Sequence, residues 1–247
     1  MNHNYQIVIE YDGTQYVGWQ CQKNGVSIQE VLEKKLKKVL KKRIQIIGAG
    51  RTDAGVHALG QCANFLIDKE IENTKVFLNS VNFFLNDCSI SIISIKKKPL
   101  SFHSRYSAKE RIYEYKITNR YSPLALDKNR TWLIKKKIDL NLLKKGAKIL
   151  KGNHDFSTFR ASSCTAKSPN KKMNNVKVFR KGKSITIQFK SQSFLQNQVR
   201  SMVGCLKYLS CSDWDLKKFK KIFKSKNRKL CAPPAPACGL YLAKIEY

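Results

Sequence analysis

Two hydrophobic periods follow one another near the start of the chain, and together they restrict it to a mixed fold. Bulky residues alternate at Tyr5, Ile7, Ile9 and Tyr11, the period of a strand with one buried face. Asp12-Gly13 then supplies a turn. Ser27 stands three residues before Glu30 as a capping box, and Ile28, Val31, Leu32, Leu36, Val39 and Leu40 recur at helical spacing behind it. The lysines at 34, 35, 37, 38, 41 and 42 fall on the other face of that helix and read as solvated surface. A strand that must bury one face and a helix that must bury one stripe satisfy each other in layers.

The same alternation of periods continues. Residues 44–49 and 61–67 read as strands around a loop at 50–60, with a helix at 73–84 and a strand at 89–95. The basic, proline-containing run 96–99 reads as a linker, and 111–118 begins a second series of strands. This places a domain boundary between 1–104 and 105–247. In the second part Asp139 caps a helix carrying Leu140, Leu143, Ala147 and Leu150, with Gly152 as its terminating glycine. A polar stretch at 162–175 reads as a mobile loop, and 176–179 with 185–189 as a hairpin around Lys181-Gly182. Val199, Met202, Val203, Leu206 and Leu209 mark a helix, a capping box from Ser212 to Asp215 opens another, and 240–247 is a last strand. The expected class is α+β: two similar α/β-sandwich halves sharing a continuous, mostly antiparallel sheet with helices packed on it. No fixed-period sequence repeat accompanies this duplication.

Composition narrows the function classes. With 247 residues, 42% of them hydrophobic, the chain can bury a real core. Its longest apolar runs, such as 81–85, fall far short of the roughly 20 residues that cross a bilayer. The first residues lack the basic and apolar regions of a secretory signal, so the expected compartment is the reducing cytoplasm. The 8 cysteines and 4 histidines show no ligand spacing, and no zinc site is expected.

Charge is the strongest compositional signal. There are 48 Lys+Arg against 17 Asp+Glu, a formal net charge of +31. AT-rich codon usage alone raises Lys, Ile and Asn together, and 38 of the basic residues are Lys against 10 Arg. Position separates the two explanations. Residues 1–104 hold 14 basic and 9 acidic groups, whereas 105–247 hold 34 and 8. A uniform bias would not load one half so heavily, and the asymmetry favours a nucleic-acid surface.

The loop from Gly48 to Ala58 gathers three glycines, Arg51, Asp53 and His57 between two strands. Small residues there admit a ligand backbone, although an ordinary Asx turn has the same composition. Neither a Walker nor a dinucleotide-binding pattern occurs. Gly50-Arg51-Thr52-Asp53-Ala54-Gly55-Val56-His57 resembles the signature of the tRNA pseudouridine synthases of the TruA family. The resemblance extends over nearly the whole chain. Tyr11-Asp12-Gly13 with Gly18-Trp19-Gln20, Phe102-His103-Ser104-Arg105 with Arg111-Ile112-Tyr113, His154-Asp155-Phe156, Phe194 with Val199-Arg200 and Val203-Gly204, and Gly239-Leu240-Tyr241-Leu242 are similar to its other motifs. One departure is Leu85, where relatives often carry proline.

The resemblance implies a homodimer acting on tRNA, isomerising uridine at positions 38 to 40 of the anticodon arm without metal or cofactor. It implies Asp53 as the essential carboxylate, Tyr113 as the tyrosine stacked on uracil, and Arg51 as the side chain entering the space left by a flipped nucleotide. Arg200 is the candidate guanidinium to hold a carboxylate ionised and oriented, with a snorkelling surface arginine as the alternative. The alternation of Arg111, Tyr113, Tyr115 and Ile117 fits a packed core face equally well. A non-catalytic basic RNA-binding protein of ribosomal type is the competing class, but it would have no need of Asp53 in such a loop. A metal-dependent nuclease would need clustered carboxylates that this acid-poor chain does not offer.

Overall fold

The computed structural model describes residues 2–247. The chain condenses into two compact units, one comprising Met1–Lys109 and Leu242–Tyr247, the other Glu110–Tyr241. The first contains β1 (His3–Tyr11), α1 (Ile28–Leu40), a short β2 (Ile47–Gly48), β3 (His57–Ile67), α2 (Thr74–Leu85) and β4 (Ile90–Lys98). The second contains β5 (Glu110–Asn119), β6 (Trp132–Ile134), α3 (Leu140–Ile149), β7 (Gly152–Asp155), β8 (Asn170–Lys181), β9 (Ser184–Ser191), α4 (Gln198–Ser210) and α5 (Leu216–Lys224). The last strand, β10 (Leu240–Glu246), begins in the second unit and finishes in the first.

In the first unit β1 lies between β3 and β4, antiparallel to both, and β10 follows β3. The alternation in β1 is realised: Tyr5, Ile7, Ile9 and Tyr11 are 0–4% exposed. Asn4, on the opposite face, is buried too, and it is fully engaged. Its amide donates to the carbonyls of Pro99 (3.0 Å) and Phe102 (2.9 Å), and its oxygen accepts from Asn64 (3.0 Å). Helix α1 starts where the capping box places it, with the Glu30 amide donating to Ser27 Oγ at 3.2 Å, and buries Ile28, Leu32 and Leu36. Helix α2 is capped in the same way by Asn73.

Three expectations in this unit fail: the loop expected at 50–60 stops at Val56, because His57 to Gly60 already belong to β3, and two others fail for identifiable reasons. The strand expected at 44–49 shrinks to Ile47–Gly48. Ile44 and Ile46 are buried as a strand face would be, but helix α1 takes the Ile46 backbone groups: its amide donates to Glu33 and its carbonyl accepts from Gln29. The run 96–99 is not a linker, because Lys96, Lys97 and Lys98 complete β4 opposite Gln6, Tyr5 and Asn4. Lysine stems suit such an edge, and the Lys97 ammonium pairs with Glu70 at 2.5 Å.

The second unit is built on the antiparallel order β5-β9-β8-β7, with β6 parallel to β5. The hairpin β8–β9 is longer than its hydrophobic core suggests and turns at Gly182, whose φ is 58°. Residues 170–175, expected to be mobile loop, are strand: Asn170 to Met173 pair with β7, and Met173 is wholly buried. The expected cap of α5 also moves. Asp215 is itself the N-cap, its carboxylate accepting from the Lys218 amide at 2.6 Å, while Ser212 sits at φ 62° in the turn leaving α4. Asp139 caps α3 as expected. The amphipathic face of α5 docks Phe223 against Phe156 and Phe159, with ring centroids 5.5 and 5.4 Å apart. The mixed α+β class with mostly antiparallel strands is thus as expected from the sequence.

Candidate active site

The loop before β3 is held by the segment after β1, and the contacts are mostly backbone. Trp19 N–H donates to the Thr52 carbonyl at 3.0 Å, Gly55 N–H to Tyr16 at 3.3 Å, and Gly18 forms a β-bridge with Asp53 itself. Tyr11 and Thr52 share a buried hydroxyl hydrogen bond of 2.8 Å, and Gln61 donates to the Gly50 carbonyl at 2.8 Å. Two glycines permit this approach. A Cβ on Gly13 would run into the Val56 carbonyl, and one on Gly18, at φ +114°, would lie 2.6 Å from the Thr52 oxygen. Within the loop, Val56 N–H donates to the Asp53 carbonyl at 3.2 Å, and Gly55 takes φ 74°. Thr52 and Val56 are thereby buried on either side of a half-buried Asp53, while Arg51 is exposed.

His57 is the first residue of β3 and is 2% exposed. Its Nδ1 accepts from the Gly13 amide at 3.1 Å and lies 3.2 Å from an Asp12 carboxylate oxygen. Asp12 Oδ1 in turn accepts from the Thr14 amide at 2.9 Å, as a turn residue does. The motif residues Asp12, Gly13 and His57 therefore serve to tie the loop to the end of β1.

Tyr113 and Arg200 belong to the second unit. Tyr113 stands on β5 opposite Phe189, is 8% exposed, and meets Phe194 edge to face at 5.0 Å. Its neighbours on that face, Arg111, Tyr115 and Ile117, are buried as well, so the face that carries the motif is also core. Burial pushes the Tyr115 phenol well up, the Cys238 thiol adds to this and the Arg200 charge opposes it; the hydroxyl donates to the Pro236 carbonyl at 2.7 Å.

Arg200 lies in the first turn of α4 and is not a snorkelling side chain. Its Nε donates to the Ala235 carbonyl at 2.8 Å and its Nη1 to Asn197 Oδ1 at 3.2 Å, and its own carbonyl accepts from the Ala235 amide at 2.9 Å. A planar guanidinium held at two edges keeps one orientation. Gly204, one turn on, is closed over by the Pro233 carbonyl, so the segment 233–236 is seated directly on the helix. Asn197 and Ala235 escaped the sequence reading. Asn197 adjoins the Val199-Arg200 motif, but a backbone carbonyl such as that of Ala235 leaves no side-chain signal.

Among the described residues no group of three or more His, Cys, Asp or Glu could hold a metal ion. No helix among them is long and apolar enough to cross a membrane.

A carboxylate on a motif-locked loop, in an α+β chain with most of its positive charge in the second half, matches one protein family over both halves. The model described as tRNA pseudouridine synthase aligns with residues 7–107 and 147–247, and the chain belongs to that family. Among curated proteins it is 59% identical over 243 residues to tRNA pseudouridine synthase A of Pelagibacter ubique, covering 98% of this chain and 99% of that one. The proteins of the same name from Parvibaculum lavamentivorans and Ehrlichia ruminantium are each 43% identical, over 98% of this chain and 98% and 99% of theirs.

Proposed function

We propose that this chain isomerises uridine to pseudouridine in tRNA, with Asp53 as the catalytic carboxylate. The observation that carries the reading is the anchoring of the Asp53 loop. Backbone hydrogen bonds from the Gly18-Trp19 segment and two glycine-dependent close approaches fix a carboxylate that the protein core alone would not require. The reaction breaks the N1–C1′ glycosidic bond, turns the uracil over and joins C5 to C1′, after which the C5 proton leaves. An ionised Asp53 serves as nucleophile or as a stabiliser of positive charge on the ribose. Arg200, with its guanidinium already oriented by Ala235 and Asn197, is the cation assigned to keep that carboxylate ionised. Tyr113 stacks on the base, and Arg51 fills the place of the flipped nucleotide. These three assignments rest on the family motifs.

The finer reading places the target at tRNA positions 38 to 40 in the anticodon arm, the enzyme in the cytoplasm and the working form as a homodimer. It is supported by the match to the family over both halves and by the charge of the second half. The test is tritium release from tRNA labelled at uridine C5, followed by mapping of the modified positions. Release by the wild type with modification confined to 38–40 is the expected result. Failure to release tritium from any tRNA would leave a non-catalytic RNA-binding protein as the surviving class.

A further inference from the structure

Cys205 and Cys231 stand apart from the catalytic assignment, and their sulfurs are 3.4 Å from each other. Cys205 is wholly buried on the inner face of α4, whereas Cys231, at the start of the segment seated on that helix, is partly accessible. The Ala232 amide, next in the chain to Cys231, donates to Cys205 Sγ at 3.4 Å, so the main chain at 231–232 lies against that sulfur. A disulfide requires the sulfurs to close to about 2.05 Å, little more than an ångström from where they stand. Arg228 stands beside the pair, its Nη1 donating to Ser201 Oγ at 2.9 Å. We infer that Cys231 and Cys205 form a peroxide-reactive dithiol, with Cys231 as the attacking and Cys205 as the resolving thiol.

The two thiols differ in the direction the roles need. The hydrogen bond shared with Cys205, and then the Arg228 guanidinium, hold Cys231 below the ordinary thiol range against its burial. That same neighbour and burial push Cys205 up. The Cys231 thiolate attacks one peroxide oxygen, its sulfur is oxidised to a sulfenic acid, and hydroxide leaves. Cys205 then attacks the sulfenic sulfur, and its proton departs with the hydroxyl group as water. Overall, two thiols and one hydrogen peroxide give one disulfide and two waters. Among the described cysteines Cys21 is exposed and Cys62 is buried with its thiol pushed up by desolvation, which makes them internal controls for access and for reactivity. The product fastens residues 231–236 covalently to α4, the segment whose Ala235 carbonyl orients Arg200.

The experiment treats the full, reduced chain with hydrogen peroxide at low molar excess, then blocks the remaining thiols and maps peptides by mass spectrometry. The expected product has lost two hydrogens, joins the peptides bearing Cys205 and Cys231, and reverts with dithiothreitol. In Cys205→Ala, the sulfenic acid should persist on Cys231 and be trapped by dimedone; in Cys231→Ala, Cys205 should stay reduced. Oxidation that falls first on Cys21, or disulfides that pair either cysteine with other partners, would overturn the proposal. So would a wild-type chain whose Cys205 and Cys231 remain alkylatable after treatment, whether or not the variants fold. None of these readouts depends on tRNA modification.

Discussion

A methyl group on Gly13 would meet the Val56 carbonyl, and Val56 is tied by its own amide to the Asp53 carbonyl. Gly13→Ala should therefore destabilise the protein by about 1 to 3 kcal/mol, the usual cost of overpacking, and thermal unfolding measures it. Asp53→Asn has the opposite profile. Size is kept and the bridge to Gly18 is made by backbone, so folding and tRNA affinity should persist while pseudouridine formation falls about a thousandfold or more. Retained turnover, measured beside tRNA binding, would remove Asp53 from the mechanism. For Tyr113, Phe keeps the ring that meets Phe194 and should preserve binding while slowing turnover. Ala should weaken both, since stacking on a base is worth about 1 to 3 kcal/mol. A Phe variant with the wild-type rate would leave the hydroxyl without a role.

At the level of elements, the caps are the simplest contributions to test. Ser27→Ala removes the acceptor for the Glu30 amide at the start of α1 and should cost about 1 kcal/mol, seen as a Tm lower by roughly 2–4 °C. The elements with a strong local period were legible from sequence: β1, α1, α3 and the turn of the β8–β9 hairpin lie where alternation, capping and turn residues put them. Those set by distant partners were not. Residues 44–49 have a strand's burial without its ladder because α1 side chains claim the Ile46 backbone. Lys96 to Lys98 read as a linker because an edge strand advertises nothing by hydrophobicity. Strands β6 and β7 gave no signal at all, being three and four residues that exist only through pairing with β5 and β8. The candidate site divides in the same way. The Asp53 loop announced itself by residue type, while the Ala235 carbonyl that fixes Arg200 acts through an atom every residue carries.

For the molecule as a whole, charge and assembly make separate predictions. If the basic second half binds RNA, tRNA affinity should fall linearly on a log-log plot against salt, with a slope reporting several released counterions. Lysines scattered by codon usage also give a slope, so the reading also needs neutralising substitutions in each half. Those in 105–247 should flatten it more than an equal number in 1–104. Sedimentation at assay concentration tests the proposed homodimer, and a monomer that modifies tRNA at full rate would overturn it.

The last strand carries a consequence of a different kind. Residues 242–247 belong to the unit that begins at the other end of the chain: Lys109 N–H donates to the Glu246 carbonyl at 2.8 Å, and Tyr247 donates to the Ser104 carbonyl at 3.0 Å and sets its ring 4.9 Å from Phe102. On a ribosome, the segment bearing Asp53 emerges early but lacks its closing strand until everything between has been translated. At roughly 5–20 residues per second that interval is on the order of ten seconds. Throughout it the edge of β3 away from β1, covered only at Ala63 and Asn64 by β2, stays open to other nascent chains. The later-made unit, residues 110–241, is contiguous and can complete itself first, so the order of maturation runs against the order of synthesis.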